Sequence, residues 1–590
     1  MKTIYKFLLM ISIIFYSSCS DFLDKEPLDK FGEEAVWSDL PLMETFVNNI
    51  YYETWHGFWG KIGIQMMCDE ACRTSDRGAG QITLSLASPS DLFPFRSESG
   101  LTRLTWNRLY QKIRACNLFL EQSSSRTYED QEWLKRLTGE VYFLRAYTYH
   151  TLAFLYGGVP KIDRVYTLTD DGLMSRNSFE EVINFIVDDC DEAAKLLGFE
   201  HAAKDHGRAT KGAALALKAR VLLYAASDLY HDASWATGYS NRELISYTNT
   251  DAASRSTRWL AAKNAAKAVI DLSKYELYKA NPASGDDIAK NYGEIFLLKQ
   301  TSEDIFLRHF TKISMETSET YHPGLHCMPG GYHAHGSNNP IGQAVDDYEM
   351  SNGTKFDWDN PAHKAAPYEN REPRFYASIL YDGVVWRARP VDVQPLDPIG
   401  VIQTGFFENA DGSTTPGLDT RSSPIESSNG THSGYYQRKY IDPAYNFQYE
   451  VQESPWRHLR YTEVLLSYAE ACNELGEDDE ARTYINMIRK RAGLPEITGT
   501  GIELREKIRH ERRVELMFEG QRYFDIRRWM IAPQVIVDAN GVDILHKYGG
   551  PIEYNNVFKQ TRQWHDRAYF FPIHMDEMNK NNLLVQNPLH

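Results

Sequence analysis

"LRYTEVLLSYAEACNELGEDDEARTYINMIRKRAGLP" runs from Leu459 to Pro495. Tyr461, Leu465, Tyr468, Cys472 and Leu475 recur at the spacing of one helix face. Gly476 stops that helix. Asp478 and Asp479 start a second, with Ala481, Ile485 and Ile488 along one side, and Gly493 and Pro495 end it. Two helices joined by so short a turn must lie antiparallel, so the unit of this fold is a helical hairpin.

The small residues Ala469 and Ala481, the Leu-Gly before the turn and the proline after the second helix resemble a tetratricopeptide repeat. Other hairpins read as interrupted. Leu134 to Gly158 is one long helical pattern, and Ser178 to Leu197 supplies its partner across a loop. Lys211 to Tyr230 pairs with Arg258 to Leu277 across another, and Arg103 to Gln122 is a further helix. Insertions in such arrays collect on one face, often the binding face. From about 281 to 454 the helical period disappears. Gly, Pro, Asn and aromatics dominate, with short strand-like runs such as "EDIFLRHF" and "FYASILYDGVVW". Irregular segments of this length are uncommon in a compact fold unless they are functional. The expected class is mainly α: a scaffold of repeat pairs over about 37–280 and 455–530, with a loop-rich part between.

The N-terminus carries Lys2 and Lys6, an apolar run from Phe7 to Phe15, and then Ser17, Ser18 and Cys19. That is signal-peptide layout, and the run is shorter than the roughly 20 residues a spanning helix needs. A small residue just before the cysteine fits a lipoprotein signal over 1–18. Tyr16 stands where such signals usually place Leu. Cys19 would then be lipidated, with 19–36 as a polar tether.

Over the 590 residues the net charge is −16. That argues against a nucleic-acid partner, which wants clustered Lys and Arg. Length alone suggests about four domains. The seven cysteines have no zinc spacing. Aromatics make up 13 %, many in polar, glycine- and proline-containing stretches, which points to flat surfaces for stacking on a ligand.

"RHERRVELMFEGQRYFDIRRW" (Arg509 to Trp529) interleaves charges with Val514, Leu516, Met517 and Phe518. Arg512 and Glu515 are three apart, within reach on one helix. A partly buried ion network that docks the last helices is favoured over a charged active cleft, because structural networks imitate sites. This stretch also resembles the C-terminal signature of the SusD/RagB family. "WNRLYQKIRACNLFLE" (Trp106 to Glu121), "GEVYFLRAYTYHTLAFLYGGVP" (Gly139 to Pro160), "NPIGQAVDDYEMSNG" (Asn339 to Gly353), "REPRFYASILYDG" (Arg371 to Gly383) and "NNLLVQNP" (Asn581 to Pro588) match in order. The resemblance implies a SusD-like fold with four repeat-like pairs, forming a single domain over 37–590. It implies an outer-membrane, cell-surface lipoprotein that captures oligosaccharide for a SusC-like TonB-dependent transporter. It implies no catalysis and no cofactor, though some members of the family bind structural calcium.

A sugar offers hydroxyls and flat CH faces, so its site needs aromatic platforms beside fixed donors and acceptors. Two regions supply that mix. In Met67 to Ser99 the resemblance points to polar contacts just after the "DE" element, here Asp69 and Glu70, with Arg73 following; Phe93, Phe95 and Arg96 are candidates from a later loop. The other reading of Asp69 is that it pins the loop. In Tyr321 to Asn339 the candidates are Tyr321, His322, Tyr332 and His333. The four histidines there lack metal-site spacing. Trp358 and Trp386 are further candidates, as are Tyr230 and Trp235. Trp106, Trp133 and Trp529 read as core.

Three other functions compete with glycan capture. They are peptide capture, a scaffold that only assembles with its transporter, and a surface glycosidase. The last needs two carboxylates about 5–5.5 or 6.5–9.5 Å apart, and no convincing pair stands out.

Overall fold

The computed structural model describes residues 33–58, 63–73, 81, 83–92, 100–167, 169–311 and 323–590. Its main helices are α1 (Leu40–Tyr52), α2 (Trp106–Ser124), α3 (Gln131–Tyr156), α4 (Phe179–Leu196), α5 (Lys211–Ala226) and α6 (Ala252–Ile270). After the irregular half come α7 (Tyr461–Glu474), α8 (Asp478–Arg491), α9 (Gly501–Glu515) and α10 (Arg522–Arg528). Each of α2 to α5 packs on the next in chain order, α5 on α6, α6 on α7 and α7 on α8. The helical hairpins expected from the apolar spacing are therefore present. They form one array, with the irregular half spliced between α6 and α7.

Local chemistry explains the helix ends. Ser178 Oγ accepts from Glu181 N–H at 3.2 Å, and the Glu181 carboxylate accepts from Ser178 N–H at 2.8 Å. This capping box starts α4, which buries Val182, Ile183, Ile186, Cys190 and Ala193. The chain after α3 turns at Gly157, with φ +81°. A Cβ there would lie 2.4 Å from the Leu244 carbonyl oxygen, so only glycine fits. The helical pattern from Lys211 to Tyr230 is broken in one place. Ser227 is extended, its hydroxyl donates to Leu223 O at 2.9 Å, and Arg528 donates to that hydroxyl. A tertiary contact there overrides a continuous helical propensity.

The irregular half leaves and returns through one strand pair. β2 (Asp304–Arg308) lies antiparallel to β8 (Trp456–Arg460), with Asp304 opposite Arg460. β8 runs directly into α7. β1 (Ala71–Arg73) pairs with β3 (Asn338–Pro340), β4 (Ile379–Leu380) with β7 (Tyr436–Gln437). β5 (Phe406–Glu408), β6 (Thr414–Pro416), β9 (Ala539–His546) and β10 (Ile552–Gln560) form a sheet in the order β10-β9-β5-β6, with β5 and β9 parallel. Of "FYASILYDGVVW" Ile379 and Leu380 form a strand, and Val385 makes a single antiparallel bridge to Val401. Its first residues belong to the short helix Pro373–Ser378, which Pro373 opens and whose Arg374 is drawn inward to Glu372, Glu511 and Glu515.

The charged C-terminal stretch is the ion network expected of it. Arg460 binds Glu303, Glu515 and Glu519 at 2.7–2.9 Å, and Arg491 joins Glu303 to Glu515. All are buried. Arg512 and Glu515 do not meet, however. Arg512 turns to Asp525 and Glu515 to arginines of β8 and α8. Once the last turn of α9, Glu511–Glu515, is buried on every side, partners from other elements outcompete the neighbour three residues away.

Candidate functional site

The two ligand-region candidates of the sequence are joined by β1 and β3. Cys72 lies opposite Asn339 and Arg73 opposite Asn338. Cys19, Phe93, Phe95, Arg96, Tyr321 and His322 lie outside the described residues.

Of the others, Asp69 is 5 % exposed, and its two oxygens accept from Arg522 at 2.9 and 2.8 Å. Burial alone would raise its pKa, but Arg513 and Arg522 outweigh it and hold the carboxyl below its usual range. Asp69 pins its loop, as its other reading had it. The neighbouring Glu70 goes the opposite way. Burial pushes it up to about 7, because Arg513 and the Phe518 N–H only partly compensate. Tyr332 is buried under Arg389, with its hydroxyl donating to Arg387 O at 2.9 Å. His333 sits in the left-handed region, at φ +56°, with Nε2 2.9 Å from Asp392. Tyr230 stacks inside the core on Phe179, and Trp235 on Phe570. Trp106 and Trp529 are buried as expected, while Trp133 is half-buried and donates to Glu44 at 3.1 Å. Among the described residues no three His, Cys, Asp or Glu converge as metal ligands.

Trp358 is half-buried and donates its indole N–H to Asp346 at 3.0–3.1 Å. Burial raises that carboxyl to about 7 against the opposing pull of Arg371 and Trp358. Trp386 is 8 % exposed, and the Arg438 guanidinium lies over its ring at 5.2 Å.

Arg438 leads to an open cleft of this half. A cleft of about 590 Å³ lies between the helix Ile288–Leu297 and the segments around Tyr376 and Arg438. Its polar rim is Asp287, Lys290, Glu294, Tyr376, Arg438 and Asp442. The carboxylates are engaged within the protein. Asp287 caps its helix through the Lys290 N–H, Asp442 accepts from the Ala444 N–H, and Glu294 binds Lys279 and the Tyr278 hydroxyl. Half-exposed Tyr376 sits beside fixed donors and acceptors, which is the combination a hydrated, ring-shaped ligand requires. None of Tyr376, Arg438 or Lys290 was a sequence candidate. "YYQRKY" (Tyr435 to Tyr440) gives a faint signal, two cationic residues between tyrosines just after β7.

The fold and the site can now be set beside known proteins. The model of the SusD family matches residues 305–590. A second model, described as starch-binding associating with outer membrane, matches 21–223. The chain belongs to the SusD/RagB family. A crystal structure of a SusD-like protein from Bacteroides fragilis shares 29 % identity at a TM-score of 0.74, covering 96 % of this chain and all of that one. A SusD-like carbohydrate binding protein of the same species has the same fold at 22 % identity and a TM-score of 0.70, over 93 % and 99 % of the two chains. SusD-like protein P38 of Formosa agariphila is 25 % identical over 91 % of this chain and 93 % of its own. The mainly helical SusD-like fold expected from the sequence is the fold observed. No helix among the described residues is long and apolar enough to cross a membrane.

Proposed function

We propose that this protein captures oligosaccharide at the cell surface and passes it to a SusC-like TonB-dependent transporter, held to the outer membrane by lipid on Cys19. The observation that carries the reading is membership of a family whose model over 21–223 is described as starch-binding associating with outer membrane. An open polar cleft with an aromatic wall, on the loop-rich half, supports it. Capture here involves no bond-breaking. A glycosidase needs one carboxyl of raised pKa as acid. In the cleft Glu294 is held below its ordinary value, since Lys279 and Tyr278 outweigh the effect of its burial. The reading also needs no cofactor. A tether at Cys19 would keep the protein beside its transporter and raise the effective concentration for docking.

Calorimetric titration of the mature chain against a panel of oligosaccharides and peptides tests this. The expected result is binding to one glycan class without hydrolysis products, weakened by Tyr376→Ala. A peptide hit with silence across the glycans would replace the ligand class. Silence throughout would favour a scaffold without a ligand site of its own.

A further inference from the structure

We propose that Arg438 makes the cleft an oxyanion subsite, which takes a carboxylate or sulfate group carried by the captured glycan. This rests on the glycan-capture reading and names the class of sugar. Arginine has five N–H donors in a rigid fork. Arg438 uses one, from Nη1 to Tyr376 O at 2.8 Å, and places its plane over Trp386. It forms no ion pair with a carboxylate among the described residues, although three carboxylates line the same cleft. Those three are committed to a helix cap, a turn and Lys279, as described above. Lys290, exposed on the same rim, forms no ion pair within 4 Å among the described residues either, although its charge acts on Glu294 one turn away.

Other buried arginines sharpen the point. Arg460, Arg374 and Arg389 each bind two or more acids. Arg176 has no acid but fills its fork with three backbone carbonyls. Arg438 has neither arrangement and opens on solvent-filled space. Desolvation lowers its pKa, with only Tyr381 and Asp287 opposing, as expected of a cation waiting for a counter-charge. A planar two-oxygen acid is the natural complement of a free fork. The half-exposed ring of Tyr376 beside it favours a sugar acid over an acidic peptide.

The test titrates the mature chain with D-glucuronate, inorganic sulfate, D-glucose and triglutamate, observed by saturation-transfer NMR, and repeats it on Arg438→Gln and Arg438→Lys. Thermal melting checks that the variants are folded. Glucuronate or sulfate should bind more tightly than glucose and lose about tenfold or more in Arg438→Gln, with partial retention in Arg438→Lys. A preference between glucuronate and sulfate then tells uronate from sulfate ester. Equal anion binding by wild type and Arg438→Gln would overturn the subsite, as would an equal loss for glucose. A preference for triglutamate would overturn its assignment to sugar acids. Neutral oligosaccharides that bind both proteins alike, with no anion response, would remove the subsite and leave glycan capture standing. Anion binding at Arg438 with silence across every oligosaccharide would do the reverse.

Discussion

Arg438 and Lys439 are neighbours just past β7, where both backbone N–H groups donate to Ser378 O, yet their side chains enter different surroundings. Lys439 enters the buried junction, where its ammonium donates to Glu519 at 2.7 Å, Tyr292 Oη at 3.0 Å and the carbonyls of Met517 and Glu515. Arg438 faces the cleft with one carbonyl. In the junction Arg374, Arg460, Arg491 and Lys439 each meet carboxylates, because an unpaired charge there would carry its full desolvation cost. The cleft leaves a cation uncompensated where a ligand can reach it. The same residue chemistry thus serves architecture in one place and recognition in the other, and what separates them is whether the partners are already in the chain.

The largest way to break this contrast is Glu515→Ala. It strips a shared acid from Arg374, Arg460 and Arg491, and denaturant unfolding should show a loss of about 3–5 kcal/mol. A loss below about 1 kcal/mol would mean the network does not hold the two halves together.

Glu70 tests the same junction by pH. Its native pKa, about 7, lies above its ordinary value of 4.5. Between those values the folded protein binds more protons than the unfolded one, so this group's contribution falls as pH rises. Relative to Glu70→Gln, the wild type should lose roughly 3 kcal/mol between pH 4.5 and 7.5. Parallel stability curves for the two proteins would remove the assignment.

Ser178→Ala, far from both regions, calibrates an ordinary local contact. Loss of the capping box should cost about 1 kcal/mol by the same measurement. Arg438→Met should cost less than about 1 kcal/mol, because it removes one hydrogen bond and no ion pair. Lys439→Met, which abandons four buried acceptors, should cost several times as much. Equal costs for the two neighbours would erase the distinction between junction and cleft.

The sequence by itself determined the helical array. Periodic apolar residues, Ser178 with Glu181, and the glycines after α3 and α7 act within a few residues, and such signals do not depend on the rest of the fold. Family signatures, read in order along the chain, named the architecture. Their charged stretch was legible as an ion network, although its pairings were not. Arg512 and Glu515 were in helical register, and each found a partner brought by another element. The β9–β10 hairpin went unread, although "YGGP" (Tyr548 to Pro551) between two alternating runs marks its turn.

The candidate site was the least legible part. Tyr332 and Trp386 look like exposed platforms among glycines, yet Arg389 and Arg438 cover them. Asp69 looks like a ligand contact, and Arg522, 453 residues away, consumes it. Arg438 sits in a run with no motif, and its exposure depends on a helix some 140–150 residues earlier forming the opposite wall of the cleft. Local sequence dictates which way a backbone turns. Whether a charge is paired or left open is a long-range matter, decided only when distant segments close around it.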